Sequence, residues 1–177
     1  MPQLVALLRA VNVGGTAKAP SAALKAAAEG IGLKDVQTVL QTGNLVFSAD
    51  VEPDTLERRL EHAFLDHLDL KTEVMVRTAA EWSAIVAANP FPEEAKVDPS
   101  HLLVMVMKRE PLAEGVAALK AHPGPERIEA RGRELYIVYP EGIGRSKLNA
   151  ASGWKKLGCP GTGRNWNTVL KLAGLMA

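Results

Sequence analysis

Cysteine is nearly absent from this chain, because its 177 residues contain only Cys159. A single cysteine excludes an internal disulfide and any metal site that needs several thiolates. No histidine lies near it in sequence, so we do not interpret it as a catalytic nucleophile. The four histidines include no pair four residues apart, the spacing that puts two metal ligands on one helical face. The sequence therefore predicts no metal and no cofactor, and it assigns no catalytic residue.

Long apolar runs are also lacking, since no stretch approaches the roughly 20 residues that a membrane span needs. The apolar run at residues 4–8 follows no basic residues and ends at Arg9, so it does not fit a secretion signal. Aromatic residues make up only 5% of the chain, and no predicted strand displays the aromatic pair of an RNA-recognition module. We therefore expect a cytoplasmic protein without a membrane partner. The hydrophobic content of 47% is enough to form an ordinary buried core.

Acidic side chains are missing from the last 36 residues, 142–177, which carry 6 Lys and Arg. Residues 1–141 hold 15 Lys and Arg against 20 Asp and Glu, so a region of charge −5 precedes a segment of charge +6. Clustered cations concentrate negatively charged partners. This charge asymmetry therefore favours a docking place for something anionic.

The first half of the chain alternates strand and helix signals. Strands are predicted at residues 4–8, 36–40, 45–48 and 71–77, with a tight hairpin around Gly43. Helices are predicted at residues 20–29 and from Pro53 onward. The resulting order, β-α-β-β-α-β, is that of a ferredoxin-like split motif.

The second half repeats most of that order. After a helix near residues 79–88, strands at 101–107, 128–130 and 134–139 accompany a helix at 112–120, and two helical pieces close the chain. We predict an α+β fold of two ferredoxin-like (split β-α-β) subdomains, residues 1–78 and 79–177, with a helical C-terminal segment. The oligomeric state is left open.

Two polar loops meet at one sheet edge in this topology. The loop after the first strand and the hairpin between the second and third strands emerge at the same end of a split β-α-β sheet. The residues that could face a ligand there are Arg9, Asn12, Gly14, Gly15, Gln41, Gly43 and Asn44. The alternative is that the glycines only form turns and the polar side chains cap them.

A glycine-containing loop precedes the closing helices. It does not match a phosphate-binding loop, because Leu148 follows Lys147 where that motif needs Ser or Thr. We predict a helix entry with Ser146 as N-cap and Lys147 in the first turn, which attracts anions without any special motif. Asn149 is included with these candidates, and an ordinary helix start without a ligand is the alternative.

The final helix is predicted to have an apolar and a polar stripe at about 100° per residue. The apolar stripe consists of Trp166, Val169, Leu170 and Ala173, which makes Trp166 a core residue. The polar stripe consists of Arg164, Asn167, Thr168 and Lys171. Because a planar guanidinium beside amides suits bidentate anion contacts, the candidate ligand-binding residues here are Arg164, Asn165, Asn167 and Thr168. Ordinary solvation of this stripe is the alternative.

Three separated blocks resemble the bacterial domain of unknown function family 1697. They are ALLRAVNVGG at residues 6–15, QTGNLVF at residues 41–47, and Ser146-Lys147-Leu148 together with RNWNTVLKL at residues 164–172. Family members usually have Arg-Gly-Ile-Asn where this chain has Arg9-Ala10-Val11-Asn12, and tend to carry Ser at the position of Thr42. Ala10 restricts the loop if the family's glycine has a positive φ. The resemblance implies an α+β fold with ferredoxin-like subdomains and brings no established activity.

Three functions remain open on these observations. The leading hypothesis is a binding module for a phosphate-bearing small molecule, nucleotide or nucleic acid, with the three polar blocks forming one site. The second is an enzyme acting on a small anionic substrate, which ranks lower because the polar blocks contain no Asp, Glu or His to serve as acid or base. The third is a protein-interaction or self-assembly module that uses the charge asymmetry.

Overall fold

The structure, a computed structural model, describes residues 1–9 and 19–177. The chain divides into two compact units, Met1–Ala84 with Leu172–Ala177, and Ile85–Lys171. Each unit contains a four-stranded sheet whose neighbouring strands are all antiparallel. Helices accompany both sheets, so the predicted α+β class is confirmed.

The first sheet has the strand order β2-β3-β1-β4. Its strands are β1 (Gln3–Leu8), β2 (Lys34–Thr38), β3 (Asn44–Ser48) and β4 (Val74–Thr78). The helices are α1 (Ser21–Gly30) and α2 (Pro53–Leu68), and α3 (Ala79–Ala87) follows β4. Because β3 pairs antiparallel with both β1 and β2, those two strands run parallel on either side of it.

The core of the first unit lies between one face of this sheet and helices α1 and α2. Alternation along β1 puts Leu4, Ala6 and Leu8 on that face. The helices contribute apolar side chains at helical spacing, which are Leu24, Ala27, Ala28, Leu56, Leu60 and Phe64. This packing fixes which side of α2 faces the sheet and therefore which side chains approach the ends of its strands.

The second sheet has the strand order β6-β7-β5-β8. Its strands are β5 (Leu102–Met107), β6 (Arg127–Arg131), β7 (Glu134–Val138) and β8 (Gly161–Asn165). The remaining helices are α4 (Pro92–Val97), α5 (Ala113–Ala121) and α6 (Trp166–Leu175). Short 3-10 segments occupy Pro99–His101, Ile143–Arg145, Leu148–Ala150 and Ser152–Leu157.

Strand β8 is missing from the sequence prediction, which put Arg164 on the closing helix. Glycines at 161 and 163 disfavour a strand by propensity, but they suit close approach to a neighbouring strand. A Cβ on Gly161 would lie 2.4 Å from Met107 Sδ, and one on Gly163 would lie 2.9 Å from Leu103 Cδ2. The side chains of β5 occupy the space that any larger residue would need.

The closing helices also differ from the prediction. The piece expected after Ser146 is a series of 3-10 turns, and α6 begins only at Trp166. Trp166 and Val169 are buried as predicted, whereas Leu170 is 45% exposed. The buried positions continue instead at Leu172 and Met176, because the helix starts later and its apolar stripe is rotated.

Candidate functional site

A cavity of about 700 Å³ opens in the first unit, where α2 approaches the end of β1 and the start of β4. Four lining residues, Arg58, Glu61, His62 and Leu65, come from α2 at the spacing of a single helical face. The strand side contributes Arg9, Lys71, Thr72 and Glu73. Among residues 1–9 and 19–177, the cavity therefore combines three permanent cations, two carboxylates, an imidazole and a hydroxyl.

Arg9 is held at the cavity by the neighbouring strand. Its backbone N–H donates to Glu73 O at 3.0 Å, and its own carbonyl accepts from Thr72 Oγ1 at 2.8 Å. Its Nη1 donates to Glu73 Oε2 at 2.8 Å, and both side chains are about half exposed. A half-exposed ion pair contributes roughly 0–1 kcal/mol, so an incoming anion can replace Glu73 at little cost.

Carboxylates cover the outer edge of β4, which is an edge strand of its sheet. Val74 N donates to Glu61 Oε2 and Val76 N donates to Glu57 Oε2, each at 2.9 Å. Thr78 N donates to Glu81 Oε1 at 3.0 Å. Such covering protects an edge strand from pairing with another chain. It also means that Glu61, although it lines the cavity, is already engaged as a structural acceptor.

The cavity retains cationic character after these contacts. Glu73 forms an ion pair with Arg9, and Glu61 accepts a hydrogen bond from the backbone N–H of Val74 in β4. Within the part of the chain that the structure describes, Arg58 and Lys71 pair with no carboxylate. Arg58 Nη2 donates to Thr55 Oγ1 at 3.4 Å, its one hydrogen bond to the described residues. These two exposed cations are therefore available to a ligand.

The hairpin residues predicted to join Arg9 have structural roles. Leu8 N donates to Gly43 O at 2.8 Å, so the end of β1 and the hairpin turn are adjacent. Asn44 is 1% exposed, and its Nδ2 donates to Val39 O and to Thr42 Oγ1, each at 2.9 Å. Gly43 has φ +79°, a conformation that favours glycine. Gln41 is exposed on this turn. Asn12, Gly14 and Gly15 lie outside the described residues.

The predicted candidates near residue 146 stabilise their own loop. Leu148 N donates to Ser146 Oγ at 3.1 Å, and Asn149 Nδ2 donates to Ile143 O at 2.8 Å. The segment after Ser146 is a three-residue 3-10 turn, too short to develop a helix dipole. The predicted anion-attracting helix entry is therefore wrong, although Lys147 itself is exposed.

Arg164 does not lie on a polar helical stripe, which corrects the sequence prediction. It belongs to β8 opposite Val104 and is 7% exposed. Its Nη1 donates to Thr162 Oγ1 at 2.7 Å and to Gly163 O at 2.9 Å. Burial lowers the pKa of Arg164 to about 10 from its ordinary value of 12.5. A side chain held in this way is part of the interior.

The remaining candidates sit at the start of α6. Asn165 Oδ1 accepts a hydrogen bond from Thr168 N at 3.1 Å, which makes Asn165 the N-cap of the helix. Asn167 is exposed and Thr168 is half-buried. This block therefore supplies a capped helix start, a structural role for Asn165 that was not predicted from the sequence.

Sequence reasoning missed most of the cavity residues. Arg58, His62 and Lys71 belong to no motif in the sequence. The His62 side chain is 76% exposed, and its Nε2 lies 2.9 Å from Asp66 Oδ2. The sequence feature that could have identified these residues is the set of polar side chains at positions 58, 61 and 62, which share one face of a strongly predicted helix.

Among residues 1–9 and 19–177, no group of three or more His, Cys, Asp or Glu side chains is arranged to hold a metal ion. Over the same residues, every helix falls short of the length and apolar character needed to cross a membrane.

Comparisons with known proteins agree on family and fold. A family model described as "Protein of unknown function (DUF1697)" matches residues 1–136. Among solved structures, the chain is similar to the conserved bacterial protein SP0830 from Streptococcus pneumoniae, with a TM-score of 0.78 and 18% identity over 99% of each chain. At that identity the likeness shows the fold alone. No curated protein matches the chain.

Proposed function

Because the chain belongs to the DUF1697 family of proteins of unknown function, whose description names no activity, we propose a function from the site: the protein binds a small phosphate-bearing anion in the cavity of the first unit. The observation that carries the proposal is the convergence of Arg9, Arg58 and Lys71 on one cavity. Its volume of about 700 Å³ lies within the range of about 300–1,000 Å³ that small-molecule sites occupy.

The charge arrangement favours a phosphate over a neutral ligand. Three cations face two carboxylates in the cavity, and both carboxylates already accept hydrogen bonds from the protein. Guanidinium groups bind phosphate oxygens through two parallel N–H donors, whereas a lysine acts as a point charge. Arg9 and Arg58 are suited to the first kind of contact and Lys71 to the second.

Thermal unfolding with inorganic pyrophosphate tests this proposal. A ligand at ten times its Kd stabilises the folded state by about 1.4 kcal/mol, which is a Tm rise of about 3–6 °C for a chain of this length. We expect the rise in the wild type and its loss in the double variant Arg58→Gln, Lys71→Gln. Arg59→Gln is the matched control, because Arg59 is an exposed arginine of the same helix outside the cavity lining. The absence of any rise at low salt would refute the proposal.

A second candidate function is an enzyme acting on a small anionic substrate in the same cavity. The specific observation in its favour is His62, a titratable side chain in the lining with Asp66 Oδ2 at 2.9 Å from its Nε2. An imidazole beside a carboxylate can act as a general acid or base. A phosphatase assay with a chromogenic phosphate monoester distinguishes the two functions. Turnover that is lost in His62→Gln, with pyrophosphate binding retained, favours the enzyme.

The finer architectural predictions stay proposals. We propose that each sheet with the helices packed on it is a ferredoxin-like unit, which the strand order with the first and third strands paired supports. The division at residues 78 and 79 is tested by expressing residues 1–78 alone and asking for a cooperative unfolding transition. Cytoplasmic location and a single site made from all three polar blocks also stay predictions.

A further inference from the structure

The acid-free end of the chain contributes a compact basic segment to the second unit. Its residues 143–157 hold four exposed cations, which are Arg145, Lys147, Lys155 and Lys156. We refer to these four side chains as the basic patch. None of them lines the cavity of the first unit. The cavity proposal therefore leaves them unexplained.

The fold of this segment brings the four cations together. Trp154 Nε1 donates to Leu148 O at 2.8 Å, which joins the turn after Lys147 to the turn before Lys155. Leu148 and Leu157 are each 1% exposed and pack in the core of the second unit with Leu119. With its apolar side chains anchored inward, the segment presents its cations outward.

The patch is not neutralised by the surrounding protein. Across residues 1–9 and 19–177, none of the four cations forms an ion pair. Residues 143–157 contain no Asp or Glu, and the first carboxylate before them in sequence is Glu141. The segment itself therefore carries four positive charges and no negative one.

We propose that the basic patch docks on the phosphate backbone of a nucleic-acid duplex, independently of base sequence. Protein–nucleic acid interfaces are polar and strongly positive, whereas protein–protein interfaces need an apolar centre. Within residues 143–157, Ile143 is the single exposed large apolar side chain. Seven of the eight Phe, Trp and Tyr side chains are buried, and Trp154 is half-buried with its Nε1 donating to Leu148 O. The surface therefore lacks fully exposed stacking platforms of the kind that single strands use.

The number of cations sets the expected salt dependence. Each phosphate neutralised on duplex DNA contributes about −0.9 to the slope of log K against log salt concentration. Four contacts correspond to a slope of about −3 to −4, and removal of two cations is expected to reduce its size by about 2. Because of this slope, we expect the affinity for duplex DNA to be measurable at low salt and weak at physiological salt.

Fluorescence anisotropy with a labelled 20-base-pair DNA duplex tests the proposal on the full-length protein. We expect Lys155→Gln with Lys156→Gln to weaken binding at least tenfold at low salt. Lys25→Gln with Lys34→Gln is the matched control, because it removes the same charge from exposed positions in the other unit. Circular dichroism of each variant shows that the fold is retained.

Three outcomes overturn the proposal. The first is that the protein does not bind the duplex at low salt, and the second is that the control variant loses as much duplex affinity as the Lys155, Lys156 variant. The third is that poly-glutamate displaces the duplex at matched charge concentration, which would indicate an acidic protein as partner. The pyrophosphate-induced Tm rise is expected to persist in the Lys155, Lys156 variant. Failure of this inference is therefore distinguishable from failure of the cavity proposal.

Discussion

Gly115→Ala is expected to destabilise the protein, although alanine is the better helix former. Gly115 lies in the first turn of α5, against the 3-10 segment Ser152–Leu157. A Cβ at this position would lie 2.6 Å from Leu157 N and from the carbonyl carbon and oxygen of Lys156. These are backbone atoms, so the contact is relieved only if the whole 3-10 segment moves.

The sign of the effect follows from two opposing terms. Replacing glycine by alanine in a helix gains up to about 1 kcal/mol from backbone entropy. Forcing an extra carbon into a tightly packed position costs about 1–3 kcal/mol or more. Because three backbone atoms would lie 2.6 Å from the new Cβ, we expect a steric cost near the upper end of the range of about 1–3 kcal/mol. The free energy of unfolding should therefore fall by about 1–2 kcal/mol in total. That loss lowers Tm by about 2–8 °C.

Urea unfolding followed by tryptophan fluorescence and circular dichroism measures this effect. Gly174→Ala is the matched control, because Gly174 lies in α6 and a Cβ there would meet nothing within 4 Å. We expect that control to be unchanged or stabilised by up to about 1 kcal/mol. A Gly115→Ala protein as stable as the wild type would refute the reasoning about this contact.

Further predictions concern an edge strand, an ion pair and an ionisable side chain. Glu57→Ala leaves Val76 N without its acceptor, so we expect urea unfolding to show a loss of about 1–3 kcal/mol in the free energy of unfolding. Glu57→Gln keeps an acceptor oxygen and should lose less. Equal losses in the two variants would argue against this hydrogen bond. Glu73→Gln removes the carboxylate that competes for Arg9, so calorimetric affinity for pyrophosphate should rise by up to about fivefold, and a fall would contradict the assignment. Burial raises the pKa of Tyr139 from 10.0 to about 12, so the stability it contributes is complete below pH 10 and lost as pH rises to 12. Tyr139→Phe should flatten the decline of the urea midpoint over that window, and parallel curves would count against it.

The elements with strong periodicity were predictable from the sequence. Helix α2 follows from the spacing of its apolar residues, because burial of one helical face imposes that spacing. Strand β1 follows from its continuous apolar run, because both of its faces are buried. Strand β8 was not predictable in this way. Its pattern of glycine, threonine, glycine and arginine reflects contact with the side chains of β5, which only the folded chain brings near.

The candidate site was only partly predictable for a related reason. Arg9 was identified because it follows a buried strand, whereas Arg58 and Lys71 have ordinary surroundings in sequence. Their approach to Arg9 depends on the position of α2 along β4, which the bonds from Val74 and Val76 to the helix glutamates hold in place. Arg164 was misassigned because a cation in an acid-free segment resembles a surface residue, and its burial follows from a strand that was not foreseen.

A crystal structure of the protein with pyrophosphate tests the central claim most directly. We predict density for the anion in the cavity of the first unit, with oxygens about 2.7–3.2 Å from the guanidinium of Arg9 and from the side chain of Arg58 or Lys71. The same structure should show Glu73 displaced from Arg9. An empty cavity at saturating pyrophosphate, or density confined to other parts of the surface, would contradict the proposed function.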